Sequence, residues 1–180
     1  MPIETARLIL VPCLPAALVA LIDAPQRFQH IAGFTVAAGL GDGYRSADVS
    51  PAWVEQLRAA KEPDIWRHGA FAIERTTRVA IGAGGFKGPA DATGTVEVSY
   101  GVAPQVEGQG FATEMTAALT DFAFGHPEVT RVIAHTRPAN TASGRVLEKC
   151  GFTNLGVVID PEDGEVWRWE RARDRTIERS

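Results

Sequence analysis

The chain is poor in cysteine: Cys13 and Cys150 are the only two, far apart and without a CxxC or Cys/His spacing. That pattern excludes a disulfide framework and a structural zinc, and it fits a reduced, intracellular setting. Charge of one sign is also lacking. A net charge of -4 gives no whole-chain field that would draw nucleic acid or an anionic membrane surface. No apolar run approaches the roughly 20 residues that span a bilayer. The opening Met1 to Leu8 lacks the pattern of an export signal, so the expected location is the cytoplasm. Repeats, low-complexity tracts and linkers are missing too. The expectation is one domain over 1–172 with a polar tail over 173–180. The apolar fraction of 45% is enough for a sizeable core in 180 residues.

The run Arg7 to Val11 reads as a strand, and Pro15 starts a helix through about Ile22. Ala24 to Tyr44 is ambiguous because Gly33, Gly39, Gly41 and Gly43 break any long element. Ser50 and Pro51 read as an N-cap and first helical residue, with the helix continuing to about Lys61. Ala70 to Glu74 and Val79 to Phe86 are strands joined by a polar turn. Thr95 to Val102 alternates: Val96, Val98, Tyr100 and Val102 share one face, and Glu97, Ser99 and Gly101 share the other. Phe111, Met115, Leu119 and Phe122 recur at helical spacing, and Gly125 and Pro127 stop that helix. Arg131 to Thr136 is the next strand. Asn140 caps a helix through Cys150, and two strands follow, joined by the turn Asp160 to Gly164. This order predicts a mixed α/β sheet, antiparallel at both ends, with one parallel crossover in the middle.

The crossover helix begins with Gln105-Val106-Glu107-Gly108-Gln109-Gly110. A glycine-rich turn entering a helix exposes backbone N–H groups at the positive end of the helix dipole, which suits the pyrophosphate of a coenzyme. Two other phosphate motifs fail here. A P-loop needs Lys followed by Ser or Thr after its last glycine, where this chain has Phe111-Ala112. A Rossmann turn belongs to a first βα unit, and this turn follows an antiparallel meander. The run Gly82-Ala83-Gly84-Gly85 leads to Gly88-Pro89 and no helix, so it reads as small residues within a strand.

The segments Gly94 to Glu114 and Arg131 to Phe152 pair QxxGxG with NxxSxxxLxKxGF. In this the chain resembles the GNAT superfamily of acetyl-CoA-dependent N-acetyltransferases. Glu4 to Leu8 is similar to the opening of its RimJ/RimL-type branch. The resemblance implies a GNAT-like twisted, mixed, mostly antiparallel sheet with flanking helices. Its one parallel strand pair would be splayed, with acetyl-CoA in the splay as donor and no metal. It further implies that free backbone groups of Val102 and Ala103 bond the pantetheine arm. A free N–H near Val102 would hold the oxyanion. The turn Gln105 to Gly110 and the amides of Glu107, Gly108, Gln109, Gly110, Phe111 and Ala112 would hold the pyrophosphate. Asn140 would bond the coenzyme arm, cap its helix, or both. Ser143 would protonate the leaving thiolate or bond the helix backbone locally. Glu97 would take the proton of the incoming amine, or be an ordinary strand residue in an ion pair. Many members use a tyrosine one turn beyond Ser143, where this chain has Leu147. Glu107 replaces a position that is often basic and is expected to face solvent. Cys150 and the four tryptophans read as packing.

The acceptor implied is a small-molecule amine or a peptide N-terminus, with no nucleic acid or membrane partner, and the family resembled admits a homodimer. Two alternatives stand beside this reading: a non-catalytic acyl-CoA-binding protein of the same fold, and an antibiotic-modifying acetyltransferase. An acidic cleft would favour polycationic aminoglycosides, and a narrow groove a peptide N-terminus.

Overall fold

The computed structural model describes residues 1–46 and 49–174. The elements run β1 (Ile3–Glu4), β2 (Leu8–Pro12), α1 (Pro15–Asp23), α2 (Phe28–Ala32), β3 (Thr35–Val36), α3 (Pro51–Ala59), α4 (Ile65–His68), β4 (Ala70–Glu74), β5 (Val79–Phe86) and β6 (Thr95–Val102). They continue with α5 (Phe111–Phe124), β7 (Arg131–Thr136), α6 (Thr141–Lys149), β8 (Thr153–Asp160) and β9 (Gly164–Ala172). The strand order is β1-β2-β4-β5-β6-β7-β9-β8. Every neighbouring pair on that path is antiparallel except β6–β7. The fold is therefore the mixed sheet expected, with α5 as its crossover.

Three features of the first half go beyond the sequence reading. β1 adds an edge strand. α4 closes onto β5. β3 makes a second parallel contact, two residues long, with Val79 and Ala80. Helix α3 starts as expected, with Ser50 Oγ accepting from the Trp53 N–H, but stops at Ala59.

Each sheet face has its own core. Leu18, Leu21 and Phe28 of α1 and α2, with Leu57 of α3, pack on Phe71, Ile73 and Ala80. On the other face Phe111, Met115 and Leu119 of α5 and Leu147 of α6 pack on Val96, Val98 and Val132. The alternation along β6 therefore has a physical outcome. Its valines and Tyr100 turn toward α5 and α6, and Glu97, Ser99 and Gly101 turn the other way. Trp169 is buried in the second core and donates Nε1–H to Thr136 Oγ1 at 2.9 Å. Trp66 packs within a ring cluster with Phe86, Phe122 and His126.

Of the polar tail expected over 173–180, only Arg173 and Asp174 are among the described residues. Arg173 belongs to the fold rather than to a frayed end. Its guanidinium donates to the His126 and Val129 carbonyls, and its N–H donates to Thr130 O. No helix among the described residues is long and apolar enough to cross a membrane.

The small residues of β5 have a steric reason. A Cβ on Gly85 would lie 2.4 Å from Gly69 Cα and 3.2 Å from Ile65 O, because α4 and the start of β4 cross directly over it. A Cβ on Gly101 meets nothing within 4 Å. Gly85→Ala is expected to destabilise the fold by about 1–3 kcal/mol, since backbone must shift. Gly101→Ala is expected to be neutral or stabilising by up to about 1 kcal/mol. Urea denaturation of the two variants checks both, and equal midpoints would refute the steric account.

Candidate active site

Strands β6 and β7 pair in parallel only over Thr95↔Arg131, Val96↔Val132 and Glu97↔Ile133. Beyond that point each strand follows its outer neighbour. β6 stays on β5 to the pair Gly82↔Val102, and β7 stays on β9 to the pair Thr136↔Trp167. The twist of two sheet halves held from outside opens a wedge between them. The backbone direction along β6 is set by two bonds: Lys87 N–H to Glu97 O at 2.9 Å, and Ala103 N–H to Ile81 O at 2.7 Å. Residues 97, 99, 101 and 103 thus face β5, and Tyr100 and Val102 direct N–H and C=O into the wedge. Val102 is placed as expected for a free edge. Ala103 is not, because its N–H is bonded to Ile81 and its carbonyl accepts from Val106 at 3.1 Å. The expectation of two unpaired residues reduces to one of that pair, with Tyr100 added. The cause is the two-residue period of a strand.

At the wide end of the wedge lies the glycine turn. Gly108 and Gly110 take φ of +75° and +83°, the left-handed region that favours glycine. Gly110 is the N-cap of α5. Among the described residues, the N–H groups of Gly108 through Thr113 have no intramolecular acceptor. They leave free donors at the helix start, a geometry that suits an anion. The Glu107 N–H differs from its neighbours, donating to Pro104 O at 3.3 Å. Its side chain is exposed, as expected, and Gln105 is exposed beside it.

The N-terminal segment braces this turn, a contact the sequence alone did not reveal. Glu114, in the first turn of α5, accepts from Thr5 Oγ1 at 2.6 Å, Arg7 N at 2.7 Å and Arg7 Nε at 2.7 Å. Arg7 also donates to Gln109 O at 2.9 Å and lies over the Phe111 ring. Burial works to raise the Glu114 pKa. The bonds from Thr5 and Arg7 outweigh it and hold the carboxyl below its usual range.

At the narrow end, a cavity of about 430 Å³ is lined by Glu97, Tyr100, His135, Asn140 and Ser143, among others. Three side chains named from the resemblance, Glu97, Asn140 and Ser143, therefore meet in one space. Asn140 Oδ1 accepts from Ser143 N at 3.1 Å, which caps α6 and leaves the amide NH2 to donate elsewhere. Ser143 Oγ has no intramolecular partner among the described residues, so the local backbone bond is not made.

Glu97 Oε1 is engaged twice, by Lys87 Nζ at 2.8 Å and by His135 Nδ1 at 2.9 Å. Partial burial works to lower the Lys87 pKa. The hydrogen bond and charge of Glu97, with the charges of Asp160 and Asp163, more than offset it and leave the ammonium raised. Tyr100, read from sequence only as a member of the apolar row, reaches across the wedge to donate to Ser143 O at 3.3 Å. Burial raises its phenol to about 12, so it stays protonated at neutral pH. Leu147 is core, and Cys150 Sγ contacts Thr113 O at 3.5 Å with its thiol pKa raised by burial; both pack rather than react.

On the Glu97 face a groove of about 900 Å³ runs from this region past Ser99 and Gly101 to Tyr44, Trp53 and Arg67. Trp53 packs on the first core and stacks on Tyr44, and it also lines this groove, donating Nε1–H to Arg67 O at 3.0 Å.

A family model described as an acetyltransferase (GNAT) domain matches residues 7–153. An N-acetyltransferase of uncharacterised role, p20 of Bacillus licheniformis, is 29% identical over 59% of this chain and 55% of its own length. The alignment thus spans about half of that relative. RimL, a ribosomal L7/L12 alpha-N-protein acetyltransferase solved with coenzyme A, superposes with a TM-score of 0.66 at 17% identity. That match covers 97% of this chain and 99% of the other. The aminoglycoside acetyltransferase AAC(6')-Ib, also solved with coenzyme A, superposes at 0.61 with 20% identity over 91% and 94%.

The Glu114 brace generates a pH-dependent prediction. A carboxyl whose folded pKa is depressed contributes stability above its unfolded value and loses it as pH falls through the folded one. Glu114→Gln is expected to cost about 1–3 kcal/mol at pH 7, with the gap to the parent closing as pH falls below about 4. Thermal unfolding of both proteins from pH 7 to pH 3 reads this, and a pH-independent gap would contradict it.

Proposed function

The chain belongs to the acetyltransferase (GNAT) family, and on that premise we propose that it transfers the acetyl group of acetyl-CoA to a primary amine by direct attack in a ternary complex. The observation that carries this reading is the continuity of the wedge. It leads from the unsatisfied amides at the start of α5, along the free edge of Tyr100 and Val102, to the cavity shared by Glu97, Asn140 and Ser143. In this reading the amides of Gly108 to Ala112 hold the pyrophosphate, with Gln105 and Glu107 as the exposed outer wall of the turn. The pantetheine arm adds to β6 as a short strand, and the Asn140 amide bonds it from the other side. The Val102 N–H polarises the thioester carbonyl and takes the oxyanion charge. Ser143 Oγ, free of any other partner among the described residues, passes a proton to the departing thiolate.

The acceptor enters from the opposite face, where Gly101 presents no side chain to obstruct it. Charges along the groove and cavity are mixed: Arg67, Lys87 and Arg137 face Glu97, Glu162 and Asp163. A polycation needs an acidic cleft, so this balance supports a mono-amine, either a small molecule or a peptide N-terminus, over an aminoglycoside. Within the family the RimJ/RimL-type branch is the placement we favour, on Glu4 to Leu8 and Ser143; the aminoglycoside enzyme among the neighbours shares the fold. A cytoplasmic protein that needs no metal completes the reading.

Coenzyme binding to the folded state must raise its stability, by about 2.7 kcal/mol at 100 times Kd. A thermal shift with CoA is therefore expected, together with thiol release from acetyl-CoA in the presence of mono-amines or peptide N-termini. Absence of any shift would overturn the coenzyme site. A shift without turnover across metabolite, peptide and antibiotic panels would make the chain a binder and not an enzyme.

A further inference from the structure

The cavity holds a histidine that the family motifs do not include. By the β6–β7 register, Glu97 lies beside Ile133, so Ser99 and His135 come next on the same sheet face, across the opening wedge. His135 is the last inward residue of β7 before the wedge widens, and its side chain is only 15% exposed. Its Nδ1 stands 2.9 Å from Glu97 Oε1. Lys87 Nζ, 2.8 Å from the same oxygen, pairs with that carboxylate as an ion pair. An ionised carboxylate only accepts hydrogen bonds, so the Nδ1 of the neutral ring carries the proton and Nε2 carries the lone pair. Nε2 has no intramolecular partner among the described residues. A carboxylate that fixes the tautomer and turns the basic nitrogen of an imidazole toward an open cavity is the arrangement of an oriented general base.

We propose that His135 Nε2 is the group that removes the proton from the incoming ammonium, and that Glu97 is its positioning residue. The inference rests on the transferase reading above and moves the base from the carboxylate to the imidazole that it orients. Glu97 itself is a poor candidate, because Oε1 already accepts from a cation and a ring N–H. The step balances without any further reactant. Nε2 takes one proton from R–NH3⁺, giving R–NH2 and an imidazolium stabilised by Glu97. The amine nitrogen attacks the thioester carbon, and the carbonyl π pair moves to the oxygen beside the Val102 N–H. Collapse breaks the C–S bond. The second amine proton passes to the thiolate through Ser143, and the imidazolium returns its proton to solvent. The sum is amide, CoA–SH and one released proton.

Two amine probes distinguish this role from a structural one. Alaninamide arrives largely as an ammonium and needs the base, whereas hydroxylamine arrives uncharged at neutral pH and does not. In His135→Ala, kcat with alaninamide is expected to fall about 10²–10⁴-fold while kcat with hydroxylamine falls less than about tenfold. Added imidazole should restore part of the alaninamide rate. An unchanged thermal shift with CoA certifies that the variant is folded, and His135→Gln serves as a second variant. Glu97→Gln should give a weaker loss with alaninamide only. Equal losses with both amines and no imidazole rescue would overturn the proposal, as would an unchanged alaninamide rate. If the parent protein binds CoA but acetylates neither amine, it is the transferase reading that falls, and this proposal with it.

Discussion

Everything at this site depends on the pairing between β6 and β7 ending at Glu97 and Ile133. Unpaired backbone inside a sheet is costly, because each buried N–H or C=O without a partner loses about a hydrogen bond. The cost is tolerated here because each strand remains fully paired on its outer side, β6 with β5 and β7 with β9. The core on the α5–α6 face is continuous across both halves behind the wedge. Gly144 of α6 sits close enough to Trp169 that an added Cβ would be 3.2 Å from the indole, which binds α6 to the β7–β9 half. Helix α5 packs on β5 and β6 and also against α6 and β7, so it joins the two halves. The wedge is the seam between the two strand pairs, β5–β6 and β7–β9, in front of that shared core.

That seam orders the chemistry along one line. Its wide end meets a helix start whose amides lack acceptors among the described residues. Its edge offers one strand's worth of hydrogen bonds, and its narrow end gathers carboxylate, imidazole, amide and hydroxyl. In the proposed reaction donor and acceptor approach from opposite sheet faces, because side chains alternate along β6. The brace from Thr5 and Arg7 to Glu114 ties the first residues of the chain to the helix start. The geometry of that helix start therefore depends on a segment more than a hundred residues away in sequence.

Much of this was legible in the sequence, and the reasons are local. The alternation of β6, the stripe of α5, the glycines of the turn and the Asn140 cap are all short-range patterns with a period or a fixed offset. The joint spacing of the two motifs then carried the fold. What was not legible depends on register. The freedom of Tyr100 and the engagement of Ala103 follow from which strand face meets β5, information that no periodicity contains. The Glu97–His135 contact joins residues 38 apart, and the Glu114 brace joins residues 107 and 109 apart. Short elements such as α4 and β3 have too few residues to show a period at all. Trp53 packs on a core as read, but that it also walls a groove was hidden for a related reason: an aromatic residue on an amphipathic helix looks the same from sequence in either place.

The central claim is that the coenzyme completes the free edge of β6. Residue-resolved amide exchange with and without CoA tests it directly. The account predicts that CoA slows exchange at Val102 and Tyr100 and at Gly108 to Ala112, while Ser99, Gly101 and Ala103, which face β5, stay as they were. Protection spread evenly along β6, or confined to a region away from the wedge, would contradict it.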